Sequence, residues 1–260
     1  MRAVHAHAGR LFSHDRGASL ALAQLTNDYY AELGRKHPGQ FWGLAALPML
    51  HPDAALDELR RAIDHLGLRG IGLGGTLGGY PLDDPRFAPV FEEINRRRLP
   101  VFIHPMGWPQ DPLFRDFSVD LLLGLVTDTS LGVLRFILSG ARDRYPDFPL
   151  IMPHLGGTLL YLQGRLDDLA GMIGGASGQA ARQPSAYLAE FFYDVVSHHN
   201  PALECAVRTV GADHLLLGSD YPWVREGMKR SIEDVLGIGF SEAEAEGILG
   251  QNAARLFGRR

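Results

Sequence analysis

Seven short apolar runs, each closed by glycine, proline or a polar residue, recur along the chain. They are Ala3–Ala8, Phe41–Leu47, Gly70–Gly74, Pro100–His104, Leu150–His154, Phe191–Val196 and Leu215–Gly218. Runs of about four to eight residues have the length of strands buried on both faces, as in parallel sheets. The longer segments between them carry helical spacing. In Asp53–Leu66 the apolar positions are Ala55, Leu56, Leu59, Ala62, Ile63 and Leu66, and Pro85–Arg98 repeats the pattern with Phe87, Val90, Phe91 and Ile94. Strand and helix in alternation predict an α/β fold with a parallel sheet covered by helices. An open doubly wound sheet and a closed TIM-type (β/α)8 barrel both satisfy that pattern. No G-x-G-x-x-G follows the first run, so the dinucleotide-binding version of the open sheet has no support.

Composition narrows the function classes. A chain of 260 residues with 46% apolar content suits one (β/α) domain of about 250 residues, so residues 1–260 are expected to form a single domain. The 25 basic and 30 acidic residues give −5 with no charge block, which argues against nucleic acid or an anionic membrane as partner. Arg96-Arg97-Arg98 closes a helical pattern and reads as a solvated helix end. No uninterrupted apolar run reaches about 18 residues and no signal-peptide pattern opens the sequence, so a cytoplasmic location is expected. The single Cys205 excludes a disulfide within one chain, and eleven histidines direct any metal site towards imidazole and carboxylate. Gly70–Gly79 is glycine-rich but lacks the Lys-Ser/Thr of a phosphate loop. Tight turns and close backbone approach at a strand end explain it better. Gly171–Gly178 reads as a surface loop, and Ser241 with Glu244 as a capping box.

The chemistry-bearing residues stand at strand ends. Pro100–His104 ends in His-Pro, Leu150–His154 runs into His-Leu-Gly-Gly, and Leu215–Gly218 runs into Ser-Asp-Tyr-Pro. His5 and His7, two apart on the first run, point to one side of a strand. In a parallel barrel every strand C-terminus opens on the face that holds the active site. His5, His7, His104, His154 and Asp220 are therefore expected to converge on one mouth. His14, His37, His51, His65, His198, His199 and His214 read as ordinary hydrogen-bonded loop residues.

Between about Ala21 and Phe257 the sequence resembles the amidohydrolase superfamily, and more narrowly its decarboxylase branch. The resemblance rests on several words in order: N-D-Y-Y-A-E-L (27–33), F-W-G-L-A-A-L-P (41–48), D-P-R-F-A-P-V-F-E-E-I-N (84–95), V-F-I-H-P (101–105), H-L-G-G (154–157), G-S-D-Y-P (218–222) and N-A-A-R-L-F-G (252–258). It implies that His104 and Asp220 bind a metal, with His5 and His7 as the further ligand pair. It also implies that His154 acts beside the metal as acid/base. Arg165 looks like the arginine that a neighbouring subunit lends to hold a substrate carboxylate, which implies a homodimer or larger assembly, and Trp108 is placed against the pocket. Three histidines and a carboxylate suit Zn²⁺, and also Mn²⁺. Asp220 is expected both to ligate and to hydrogen-bond a water on the metal. An arginine fork suits bidentate capture of a small carboxylate substrate.

The pattern breaks near the N-terminus. The family has eight barrel strands and some fifty residues between its H-x-H pair and the helix of the N-D-Y-Y word; here about twenty lie between His7 and Asn27. Two readings stay open. Either Val4-His5-Ala6-His7 is the family's pair with a strand–helix unit deleted after it, or Ala3–Gly9 takes the place of the second strand and the two histidines are incidental. The leading expectation is a metal-dependent carbon–carbon lyase releasing CO₂ from a small aromatic or unsaturated acid. A metal-dependent hydrolase of a lactone or amide, an inactive truncated barrel, and a nucleotide-binding protein resting only on Gly70–Gly79 are the alternatives.

Overall fold

The structure is a computed structural model that describes residues 2–4, 9–106, 114–173 and 178–258. His5, His7 and Trp108 lie outside the described residues. The chain forms two compact units, residues 1–136 with 144–149, and residues 137–143 with 150–260.

In the first unit the strands are β1 (Arg2–Val4), β2 (Phe41–Ala45), β3 (Gly70–Leu73), the short pair β4 (Thr76–Leu77) and β5 (Tyr80–Pro81), and β6 (Val101–Ile103). β1 pairs with β2, β2 with β3, and β3 with β6, all in parallel, while β4 and β5 form an antiparallel hairpin. In the second unit β7 (Leu150–Met152), β8 (Phe192–Asp194) and β9 (Leu215–Leu216) pair in parallel and in chain order. Each new strand of the parallel rows is added on the same side as the one before. A doubly wound sheet reverses direction after its first strands, whereas a barrel adds strands one way round, so the order selects the barrel type. All seven apolar runs of the sequence carry one of these parallel strands.

The helices cover the strands as their periodicity requires. α1 (Arg16–Lys36) follows the first strand, with Asp15 as its N-cap accepting from the Ala18 N–H at 3.0 Å. α2 (Pro52–Arg60) continues into one wider turn over Arg61–His65, and buries Ala55, Leu59, Ala62 and Ile63 as the spacing predicts. α3 (Ala88–Arg97) buries Val90, Phe91 and Ile94 and stops at Arg98, which adopts a left-handed φ of 54°. The remaining helices are α4 (Leu125–Leu138), α5 (Ala141–Arg144), α6 (Leu159–Ile173), α7 (Pro184–Leu188), α8 (Asn200–Val210), α9 (Gly227–Gly237), α10 (Glu242–Glu246) and α11 (Asn252–Gly258). Ser241 and Glu244 form the expected capping box at the start of α10. Of the expected loop Gly171–Gly178, the first three residues are instead helical, because α6 runs on to Ile173. An exposed glycine such as Gly171 costs a helix about 1 kcal/mol but does not end it.

Two words of the sequence serve the architecture. Asn27 on α1 accepts from the Ala46 N–H (2.8 Å), donates to the Ala46 carbonyl (3.0 Å) and donates to buried Glu58 (2.6 Å), so one side chain fixes the end of β2 to α1 and α2. Asn252 on α11 donates to the carbonyls of Ala212 and Leu215 and holds the last helix to β9. Satisfying buried backbone groups outside the strand ladder in this way is obligatory. The helical stretch Asp116–Leu138, 23 residues long, is long and apolar enough to cross a membrane by length and composition alone. Within it, buried Asp128 accepts from the Thr76 hydroxyl (2.9 Å) and the Met106 N–H (3.3 Å), which ties the start of α4 to β4 and to the segment after β6 in the same unit.

The glycine-rich segment behaves as the sequence suggests. Gly78 and Gly79 have φ of 61° and 87° and make the two-residue turn between β4 and β5. A Cβ on Gly75 would lie 2.5 Å from the Asp128 carbonyl oxygen, and one on Gly132 would lie 2.1 Å from the Gly75 carbonyl oxygen. The loop after β3 therefore meets α4 backbone to backbone.

Candidate active site

His104 follows β6 in the first unit. Its N–H donates to the Leu73 carbonyl at 2.8 Å, which continues the ladder with β3 by one residue and fixes where the side chain leaves the strand. Its Nδ1 lies 3.2 Å from the Pro105 carbonyl oxygen. A carbonyl only accepts, so this bond places the proton on Nδ1 and the lone pair on Nε2, one of the two tautomers that can bind a metal.

The other strand-end residues belong to the second unit. After β7 the chain turns through four consecutive residues with left-handed φ: His154 (53°), Leu155 (50°), Gly156 (76°) and Gly157 (64°). After β9 it passes Gly218 and Ser219 to Asp220, with φ of 49°. Such backbone costs an ordinary L-residue about 1–2 kcal/mol and persists only where the surroundings enforce it. Here the Asp220 carbonyl accepts the Val224 N–H at 3.1 Å, and Gly227 packs onto the Ser219 carbonyl with no room for a Cβ. The result brings a ring nitrogen of His154 and a carboxylate oxygen of Asp220 within 4.8 Å of each other. Two ligand atoms on one zinc-sized ion are separated by roughly 3–4 Å, so a nitrogen and an oxygen donor at this separation fit a divalent ion.

Asp194, the last residue of β8, was absent from the sequence-derived candidates. It is buried, and its Oδ1 accepts from the His154 N–H (2.8 Å) and from the Val196 N–H (3.0 Å). Burial pushes its carboxyl up to about 6; nearby His154 and the two N–H donors oppose that rise, and Asp220 adds to it. A carboxylate inside the otherwise apolar run F-F-Y-D-V-V was the available signal.

Arg165 lies exposed on α6. Among the histidines read as ordinary, His51 and His214 bear this out: His51 Nε2 lies 3.1 Å from the Ser13 carbonyl and His214 Nδ1 lies 2.8 Å from the Phe191 carbonyl.

The sequence profile described as amidohydrolase matches residues 4–259. The chain is 32% identical over 252 residues to 2-amino-3-carboxymuconate-6-semialdehyde decarboxylase of Dictyostelium discoideum, covering 92% of this chain and 67% of that protein. Its structure superposes on the crystal structure of 5-carboxyvanillate decarboxylase from Sphingomonas paucimobilis with a TM-score of 0.91 and 27% identity, covering 99% of this chain and 78% of that one. It also superposes on dihydroxybenzoic acid decarboxylase from Polaromonas sp. JS666, with bound manganese and the inhibitor 2-nitroresorcinol, at a TM-score of 0.86 and 27% identity over 96% and 79% of the two chains.

Proposed function

From the membership of this chain in the amidohydrolase family, we propose that it is a divalent-metal-dependent carboxy-lyase that releases CO₂ from a small aromatic or unsaturated carboxylic acid. The observation that carries the reading is the pair His154 and Asp220, held by left-handed backbone with donor atoms within 4.8 Å, in a chain whose relatives are named decarboxylases.

In this proposal His104, through Nε2, and Asp220 hold the ion, joined by His5 and His7 in the reading that takes them as the family's ligand pair. Zinc and manganese both suit nitrogen and oxygen donors, and the Polaromonas neighbour holds manganese. When bound, the ion would supply positive charge that favours an anionic substrate. His154 delivers a proton to the carbon that bears the carboxylate. The bond from that carbon to the carboxylate then breaks, its electron pair returns to the ring or conjugated chain, and CO₂ leaves. Proton transfer by a positioned imidazole contributes typically about 10²–10⁴-fold.

Arg165 of a second subunit is proposed to fix the carboxylate, with Trp108 against the substrate. Tyr161, Arg165 and Met172 fall on one face of α6 by helical spacing, and Tyr161 and Met172 are 85% and 80% exposed. An apolar stripe that displays the proposed arginine suits a surface covered by a second copy of the chain. The proposed setting is the cytoplasm, where exposed Cys205 stays a thiol. The test is CO₂ release from hydroxybenzoates by protein loaded with manganese or zinc. Turnover of lactones or amides with no CO₂ from any acid overturns the reading.

A further inference from the structure

We infer that Asp194 is a positioning residue that sets the spacing between His154 and Asp220 by holding the backbone on both sides at once; this rests on the carboxy-lyase reading of the site. Three observations carry it. The first is the bond from the His154 N–H to Asp194 Oδ1 (2.8 Å), which meets the left-handed turn at its first residue. Without an acceptor there, the N–H would be left without that partner as well as strained. The second is Gly218, two residues before Asp220, where a Cβ would lie 2.7 Å from Val196 Cγ2, 2.9 Å from Asp194 Cγ and 3.0 Å from Asp194 Cβ. The Asp194 side chain, with Val196 beside it, is thus part of the surface against which the segment leading to Asp220 rests. The third is the Val196 N–H, which donates to the same Oδ1 (3.0 Å) and locks the carboxyl group in place.

The neighbouring residue reinforces this role for β8. Tyr193 donates its hydroxyl to the Leu188 carbonyl (2.6 Å), and a Cβ on Gly156 would lie 2.7 Å from the Tyr193 ring. Tyr193 and Asp194 together form the platform on which the His154–Gly157 turn sits. Both described hydrogen bonds use one oxygen, Oδ1, so an acceptor at that place is what the turn needs. An asparagine supplies it with its carbonyl oxygen and an alanine does not.

The test compares Asp194→Asn and Asp194→Ala in the full chain by three readouts: exchange protection of the His154 amide proton in ¹H–¹⁵N spectra, Mn²⁺ affinity by calorimetry, and kcat with KM. The proposed ligand that Asp194 reaches is Asp220, through the segment at Gly218, and removing a group that orients a metal ligand costs about 10–100-fold in metal affinity or activity. Asp194→Asn is expected to keep the protected amide and to stay within about 3-fold of the parent in Mn²⁺ affinity and kcat. Asp194→Ala is expected to lose the protection and at least about 10-fold in both, with KM little changed. If Asp194→Asn falls as far as Asp194→Ala, the charge rather than the acceptor matters and the inference fails. An unchanged amide and unchanged Mn²⁺ affinity in Asp194→Ala also overturn it. Should Asp194→Ala not fold, Gly218→Ala tests the same contact from the other side, and an unaltered Mn²⁺ affinity there overturns the inference. Absence of CO₂ release by the parent protein would instead refute the carboxy-lyase reading, and the amide and Mn²⁺ readouts would still decide the role of Asp194.

Discussion

His154 and Asp220 are proposed for different work although their donor atoms lie within 4.8 Å of each other. The ligand role assigned to His104 and the acid/base role assigned to His154 separate in mutants. His104→Ala should lower Mn²⁺ affinity by more than about 100-fold, since losing only a ligand's partner already costs about 10–100-fold. His154→Ala should keep Mn²⁺ affinity within about 10-fold and lower kcat by about 10²–10⁴-fold. Calorimetry and steady-state kinetics on the two variants check this, and equal loss of metal in both would remove the distinction. The strand-end positions of His104, His154 and Asp220 were legible in the sequence because each stands at or just after the end of an apolar run inside a recognisable word. Asp194 was not, because its partner His154 is 40 residues away in the chain and the contact is made by backbone N–H, which no side-chain pattern announces.

The elements were legible where burial dictates periodicity. The seven parallel strands among the described residues coincide with apolar runs, and α2 and α3 bury most of the positions their spacing selects, with Leu56 and Leu66 half-buried. The β4–β5 hairpin was not foreseen, since two-residue strands leave no periodic trace; its Gly78-Gly79 turn was visible only as loop chemistry. The close approach of Gly75 and Gly132 makes a specific prediction. Gly132→Ala should destabilise the chain by about 1–3 kcal/mol, the cost of overpacking, although alanine is the better helix former. Thermal unfolding measures it, and an unchanged or raised Tm would contradict the contact.

The end of α3 makes a pH prediction. Hydrogen bonds from Arg96 and Arg97 hold the Glu93 carboxyl down at about 2, below its ordinary 4.5, against the opposing effect of burial. A depressed folded-state value stabilises the fold above the unfolded value and is lost as pH falls through the folded one. Glu93→Gln should therefore lower Tm by about 2–4 °C per kcal/mol at pH 7, with about 1 kcal/mol expected after solvent screening, and the difference should vanish between about pH 4.5 and pH 2. A difference that persists unchanged at low pH would assign the effect to packing.

At the scale of the whole molecule, the order in which strands are added identifies a barrel-type fold, and the amidohydrolase match over residues 4–259 agrees with it. The proposed assembly comes from the resemblance at Arg165, and the structure adds that Tyr161 and Met172 are exposed beside it. If Arg165 acts across subunits, mixing Arg165→Ala with His104→Ala protein should restore roughly one quarter of parental activity, since half of randomly mixed dimers hold one complete site. No recovery after subunit exchange would place Arg165 in its own subunit's site or outside any site. The central claim is tested most directly by ¹³CO₂ release from carboxyl-labelled 2,6-dihydroxybenzoate and related hydroxybenzoates, using manganese-loaded and metal-stripped protein. CO₂ released only by the loaded protein, and abolished in His154→Ala, is the predicted result; no metal bound under any loading, or hydrolysis of lactones without CO₂ from any acid, would contradict it.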